Sequence, residues 1–384
     1  METAPPIPAD PIAEEVRVAA DRLDLARRYR ELDRRPEFPW REFRQLGEAG
    51  LLGLHTASRL GGRGLPLPRV GIGLFTLAYR SGTAFAKLSL QPEFSRVLAE
   101  HGSAELVEGW FRPIVRGEKL VGNQITEPGA GSDASALSLE ARPDGNAYVL
   151  TGTKSEAAFA SDAQAAIVYG RVSDADPHAA ITAFLVPQDL EGISRGMDAP
   201  DLGERWQRRG QVRYDHVRLP ARYRIGDVGR AFGYLRGEFT QERALLAAIY
   251  LGAAWASWEE TVRYVGGRVA FRKPLSAQEG VSFPLVEDGV RLEAAWLYVE
   301  KVLGRLERGE EAEGAAALAK WLATETALSA IDHAIQFHGG RGYSGALPHE
   351  QRWRDVRSGP IAHGPSEIMR LVAARELWPR PSAP

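Results

Sequence analysis

The chain has 384 residues, 44% of them hydrophobic, a formal net charge of −2 and no cysteine. A near-neutral balance gives no electrostatic case for a nucleic-acid or anionic-membrane partner. The absence of cysteine removes disulfides, thiolate metal sites, iron–sulfur clusters and cysteine nucleophiles together. No apolar run approaches the ~18 residues of a spanning helix. The opening "METAPPIPADP" has neither the basic nor the apolar stretch of a secretory signal, so a cytoplasmic protein with no membrane partner is expected. Only six lysines occur (Lys87, Lys119, Lys154, Lys273, Lys301, Lys320). With so much alanine, that reads as a GC-rich genome rather than a function.

The first third carries helical periodicity. In "PIAEEVRVAADRLDLARRYREL", Val16, Ala19, Ala20, Leu23 and Leu25–Ala26 fall on one stripe. "WREFRQLGEAGLLG" predicts a helix stopped by Gly50 and Gly53, and "SAELVEGWFRPIV" a short one ended near Pro113. The pattern then turns to β. "AYVLTGTK", "AAIVYGRV", "AITAFLVP" and "QVRYDHVRLP" are short runs rich in Val, Ile, Tyr, Phe and Thr, separated by Gly, Pro and Asp clusters. From about 231 the helical period returns in three long runs, "ERALLAAIYLGAAWASWEETVRYVGGR", "FPLVEDGVRLEAAWLYVEKVLGRLERG" and "EGAAALAKWLATETALSAIDHAIQFHGG". Short connections between long helices predict an up-and-down bundle. The expected class is α+β: a helical domain over 1–119, a small β-barrel or sandwich over 120–229, and a four-helix-bundle-like domain over 230–384.

Four stretches are candidates for chemistry. In "TEPGAGSD" (126–133), Gly129 and Gly131 permit turns with positive φ, and such turns expose backbone N–H groups to an anion. An ordinary glycine-rich connection is the alternative. "QFHGGRGY" (336–343) ends a helix rather than following a strand, so its glycines read as a helix cap, not a dinucleotide fingerprint. In "RVAFRKPL", Arg268 lies at a helix end, where a guanidinium can grip a phosphate or simply be solvated. In "IAHGPSEIMR", Gly364 and Pro365 break the chain after His363 and before a helix opened by Ser366. The histidines offer no metal-ligand spacing.

Taken in this order, these stretches resemble the acyl-CoA dehydrogenase family over nearly the whole chain. "TEPGAGSD" and "GGRGYSGALPHEQRWRDVRSGPIAHGPSEI" are the most specific parts, with "LVPQDLEGIS" and "YDHVRLP" in the expected places. The resemblance implies a non-covalent FAD, a homodimer or more usually a homotetramer, and α,β-dehydrogenation of an acyl thioester carried on CoA or an acyl carrier protein. The electron acceptor would be an electron-transfer flavoprotein or oxygen. It places Ile125, Thr126, Gly131 and Ser132 along the flavin and pyrophosphate, with Glu156 and Ala158 beside the ring and Ser366 among the cofactor contacts. Arg268 and Phe271 would meet FAD across a subunit interface, and Gln336, Gly339 and Gly340 would touch its adenosine-diphosphate half from a neighbouring subunit.

The family's reaction needs a carboxylate to take the α-proton while hydrogen bonds stabilise the enolate. Many members carry that carboxylate where this chain has His363. Another branch carries it on the first long C-terminal helix, immediately before an arginine, and here "FTQERALLAA" places Glu242 before Arg243. Glu242 is therefore the expected base, with an ordinary solvated helix glutamate as the alternative. Three readings of His363 stay open: a neighbour that tunes Glu242, the base itself, since histidine is the side chain that ordinarily titrates near neutrality, or a space-filler. Arg243, Thr240 and Gly364 are the implied substrate contacts.

Several positions depart from the family. Glu156 stands for a tryptophan beside the flavin, Ala158 for a threonine, Arg272 for a glycine, Glu279 for a glutamine and Thr240 for an aspartate. Pro365 removes an N–H and a hydroxyl. "RWQRR" (205–209) brings Arg205, Arg208 and Arg209, either to meet a phosphopantetheine or acidic carrier or as a solvated basic loop. These changes leave two alternatives to dehydrogenation. One is a flavoprotein of the same fold with altered chemistry (oxidase, monooxygenase or redox-neutral). The other is a non-catalytic acyl-thioester-binding paralogue.

Overall fold

The computed structural model describes residues 4–172, 181–197 and 200–378. Ala180, the first residue of the "AITAFLVP" run, lies outside them.

Helix α1 (Pro11–Arg22) begins on Asp10, whose side chain accepts from the Ile12 N–H, and a proline fills its first turn as the geometry there allows. The run expected to continue as one helix does not. Asp24 takes φ +52°, and α2 (Leu25–Arg34) starts afresh; short polar side chains tolerate that left-handed conformation best after glycine. Then come α3 (Trp40–Glu48), α4 (Leu67–Ser81), α5 (Thr83–Ser89) and α6 (Arg96–His101). A further run joins α7 (Ala104–Leu106), a π-helical turn (Val107–Phe111) and α8 (Arg112–Val115). Pro113 sits inside that last run rather than at its end, because the preceding turn is wide.

Among the described residues the β region is one eight-stranded sheet. Its strands are β1 (Val121–Gln124), β2 (Glu140–Asp144), β3 (Ala147–Ala157), β4 (Ala165–Arg171), β5 (Ile181–Pro187), β6 (Ile193–Met197), β7 (Gly210–Pro220) and β8 (Arg224–Ile225). The order is β6-β7-β3-β2-β4-β5-β8, with β1 parallel to β4. Alternation decides which core each face meets. Ala166, Val168, Phe184 and Val186 pack with Leu150, Val212 and Val217 in a core private to the sheet. Ala165, Ile167, Tyr169 and Leu185 point the other way, into the helices. Strands far apart in the order share the private core, so the sheet curls over it.

Helix α9 (Ala231–Gly267) runs the length of the C-terminal part. A two-residue hairpin, β9 (Val269–Ala270) with β10 (Lys273–Pro274), leads to α10 (Glu279–Glu307) and α11 (Glu313–His338). Short helices α12 (Gly340–Tyr343) and α13 (His349–Val356) precede α14 (Ser366–Leu377). Helix α4 lies so close against α9 that a Cβ on Gly252 would come 2.2 Å from the Phe75 carbonyl oxygen. A buried polar knot ties the parts together. Asp355 on α13 accepts from the Tyr29 hydroxyl on α2 at 2.6 Å and from the Glu204 N–H at 2.6 Å, and Glu204 pairs with Lys87 on α5.

Candidate active site

The pair the sequence points to is assembled by α9 and the loop before α14. Glu242 is 2% exposed. Its Oε2 lies 3.1 Å from His363 Nδ1, and its Oε1 has no partner among the described residues. His363 takes φ +54°, a conformation that costs about 1–3 kcal/mol outside glycine and persists only where the surroundings enforce it. Here they do. Its ring stacks on Phe94 at 5.6 Å and meets Phe239 edge-on at 5.9 Å. Its carbonyl accepts from Arg243 Nε at 3.2 Å, and the next carbonyl, of Gly364, accepts from Lys320 Nζ at 2.6 Å. Gly364 has φ +93° and sits where a Cβ would strike Met369, so only glycine fits. Burial pulls both cations below their ordinary pKa range, Lys320 to about 7.

Three further acidic or hydroxylic side chains crowd this pair. Glu238, one turn before Glu242, is 1% exposed; its Oε1 is 3.5 Å from the Val97 N–H and its Oε2 has no protein partner. Glu93, just before α6, accepts from Thr56 Oγ1 at 3.0 Å and Gln241 Nε2 at 3.1 Å. The Tyr169 hydroxyl on β4 is buried and unpartnered. Sequence reasoning missed all three. Glu238 carried a signal, since carboxylates at i and i+4 share a helix face; Glu93 and Tyr169 carried none.

The "TEPGAGSD" loop is pinned from below. Lys154, fully buried, donates to the Ile125 carbonyl at 3.0 Å and to Glu127 Oε1 at 2.8 Å. Glu127 also takes the Ser138 and Leu139 N–H groups. Ile125 and Thr126 are half-buried and Gly131 and Ser132 exposed. Neither Gly129 nor Gly131 adopts the positive φ expected of them. A Cβ on either would meet nothing within 4 Å, so the glycines leave open space rather than making a turn. Glu156 projects from a bulge at φ +54° and pairs with Arg209 at 3.3 Å, and Ala158 lies half-buried beyond it.

A second group gathers at the far end of α9. Tyr264, Arg268, Gln336, Gly339, Gly340 and Arg341 line a cleft of ≈ 540 Å³. Gly339 caps α11 at φ +59°, as the helix-end reading expects, and the space above Gly339 and Gly340 is open. Phe271 and Arg272 form the hairpin tip, both at positive φ, the type I′ geometry that suits a two-residue turn. Phe271 is 91% exposed.

Three family models match in succession: the acyl-CoA dehydrogenase N-terminal domain over residues 10–118, the middle domain over 122–217 and the C-terminal domain over 229–378. The chain belongs to the acyl-CoA dehydrogenase family. Among its relatives, the short-chain specific acyl-CoA dehydrogenase of Mus musculus is 31% identical over 90% of this chain and 84% of its own length. The benzylmalonyl-CoA dehydrogenase of Aromatoleum aromaticum is 31% identical over 90% and 92%. The structure of butyryl-CoA dehydrogenase from Megasphaera elsdenii superposes with a TM-score of 0.90 at 26% identity, over 97% of this chain and 99% of that one.

An acyl-CoA dehydrogenase is a flavin oxidoreductase with FAD as its cofactor, and the chemistry of the two groups suits it. The Arg268 cleft offers a guanidinium fork and bare glycine backbone, donors suited to a pyrophosphate. The open face of the Gly129–Gly131 loop is free of side-chain bulk. Two other expected contacts already have a protein partner. The Ser366 hydroxyl donates to Glu325 at 2.8 Å and the Thr240 hydroxyl to the Arg236 carbonyl on its own helix at 2.9 Å. The "RWQRR" arginines are half-buried and each has a protein partner: Arg208 holds Asp162, Arg209 grips both oxygens of Asp201, and Arg205 donates to the Asp201 carbonyl.

Proposed function

We propose that the protein is an FAD-dependent dehydrogenase that introduces an α,β double bond into an acyl thioester, with Glu242 as the base. The observation that carries this is the buried Glu242 carboxylate with one oxygen fixed on His363 and the other unpartnered. A general base needs an available lone pair, a fixed orientation and a dry surrounding, and Glu242 has all three. His363 orients it. Bound FAD supplies the hydride acceptor. Glu242 Oε1 takes the α-proton, and the loop peptides at 363–364, held by Arg243 and Lys320, present a fixed backbone to the thioester carbonyl. Arg243 and Gly364 thus act on the substrate through the loop, and Thr240 is left at its edge.

Ile125, Thr126, Gly131, Ser132 and Ala158 are assigned to the flavin and pyrophosphate, with Ser366 and Glu156 near the ring. The Arg268 cleft is assigned to the adenosine-diphosphate half. Arg268 stands about 39 Å from Glu242 along α9 at 1.5 Å per residue, so the two groups serve different FAD molecules and the site is completed by a second copy. A stripe of exposed apolar residues on α10 (Phe283, Val286, Val290, Leu297) supports a homodimer or homotetramer. The acyl carrier is CoA or an acyl carrier protein, and the electron acceptor an electron-transfer flavoprotein or oxygen. Among the described residues no helix is long and apolar enough to cross a membrane, in keeping with a cytoplasmic enzyme.

Reconstituted protein should show a flavin spectrum that bleaches under anaerobic acyl thioester. Loss of bleaching in Glu242→Gln with retention in His363→Asn supports this assignment; the opposite pattern makes His363 the base. Absence of flavin after reconstitution would sink the proposal. The exposed Glu156–Arg209 pair in place of an aromatic neighbour favours a second reading, an oxidase or monooxygenase, recognised by rapid reoxidation of the reduced flavin in air.

A further inference from the structure

We infer that the acyl group of the substrate carries a cationic, hydrogen-bond-donating nitrogen, received by Glu238 and Glu93 beside the Glu242–His363 pair. This rests on the thioester reading above and names its substrate class.

Three carboxylates, Glu93, Glu238 and Glu242, meet where the N-terminal helices, the sheet and α9 come together, each no more than 4% exposed. Neither Glu93 nor Glu238 is salt-bridged among the described residues. Glu93 is held by neutral donors, Thr56 and Gln241. Glu238 has one long contact to a backbone N–H and one oxygen with no protein partner. The nearby cations are engaged: Arg96 donates to Gln241 Oε1 at 2.7 Å and reaches Glu100, and Arg243 holds the His363 carbonyl. His55 Nδ1 contacts the Leu65 carbonyl at 2.9 Å. A second, independent observation comes from the sheet. The Tyr169 hydroxyl, on β4, is fully buried without a partner among the described residues, and burial together with the charges of Glu238 and Glu242 pushes its pKa up.

An isolated buried carboxylate is costly and stays protonated instead. Burial pushes Glu93 upward, opposed by His55 and Arg96, and burial reinforced by the Glu242 charge does the same to Glu238, opposed by Arg96. A pocket for a plain hydrocarbon chain would gain nothing from such groups. Against a saturated acyl chain, Glu238 Oε2 and the Tyr169 hydroxyl keep no partner, and an unpaired buried polar group opposes binding. An ammonium supplies three donors and the missing positive charge. Its arrival draws the two carboxylates toward their ionised form, so binding releases protons to solvent. No bond is made or broken in this step.

The test uses FAD-loaded full-length protein and non-oxidisable CoA thioethers in matched pairs, ammonium against methyl: S-(2-aminoethyl) with S-propyl, S-(3-aminopropyl) with S-butyl and S-(4-aminobutyl) with S-pentyl. The same pairs are made on phosphopantetheine. Affinity and proton release are read by calorimetry in two buffers of different ionisation enthalpy. At least one amino member should bind about ten- to hundredfold more tightly than its alkyl twin, with net proton release. That preference should shrink in Glu238→Gln and in Glu93→Gln. Equal or tighter binding of the alkyl member in all three pairs overturns the inference and leaves the dehydrogenase reading standing. A preference unchanged in both variants, or unaccompanied by proton release, overturns the assignment to these carboxylates. Failure of every thioether in both forms to bind overturns the thioester reading itself.

Discussion

Glu242 and His363 form the residue-scale heart of the site, and their substitutions should separate cleanly. Glu242→Gln keeps shape and burial but removes the proposed base, so anaerobic flavin reduction should slow by about 10²–10⁴-fold, while stopped-flow absorbance of His363→Asn should show a smaller loss. Lys320 makes a different kind of prediction. Its ammonium is fully buried and its pKa is pulled down from 10.5 to about 7 by burial. The folded state therefore binds fewer protons than the unfolded state between about 7 and 10.5, and stability contributed through Lys320 rises with pH across that window. Urea titrations at pH 7 and pH 9 should show this rise, and it should be absent in Lys320→Met. The scarcity of lysine was legible in the sequence but its meaning was not. Lys87, Lys154 and Lys320, half of the six, are buried point charges placed on Glu204, Glu127 and the Gly364 carbonyl. Only the three-dimensional partners reveal that.

Between elements, close approach and buried pairing set the stability. Gly252→Ala would push a methyl into the Phe75 carbonyl at the α4–α9 crossing, and overpacking of this kind should lower stability by about 1–3 kcal/mol. Lys154→Met would leave Glu127 buried without its cation, a loss of about 3–5 kcal/mol, with part recovered by adding Glu127→Gln; thermal melts of the three variants check it. The strands around Ala165–Arg171 and Gly210–Pro220 were readable from their composition and alternation. Helix α4 was not singled out, because Pro68, Gly71 and Gly73 interrupt a run that the fold keeps continuous. The break at Leu23–Asp24 was hidden for the opposite reason: the apolar stripe continues across it, and only the left-handed Asp24 shows the chain has turned.

At the level of the whole molecule, the proposed assignment of cofactor groups at opposite ends of α9 requires a second copy. Val290→Glu with Leu297→Glu should break the apolar stripe on α10, giving a smaller species by light scattering and a lower flavin-to-protein ratio after gel filtration. The order of helices, sheet and helices was plain in the sequence because the hydrophobic period changes twice. The two-ended division of the cofactor residues came through resemblance, since nothing in the spacing of Arg268 and Thr126 says they face different ligands. The crowd of carboxylates escaped both routes: Glu93 and Glu238 lie 145 positions apart and meet only because α6 packs on α9.

The loop at 363–365 acts as an electrical relay. A cation resting on a carbonyl oxygen polarises that peptide and makes the N–H on its other side a stronger donor. Arg243 does this to the peptide joining His363 and Gly364, and Lys320 to the one joining Gly364 and Pro365. Proline has no N–H to respond. The response of the pair is thereby confined to one group, the Gly364 amide, and the proline that looked like a lost hydrogen bond in the sequence is what confines it.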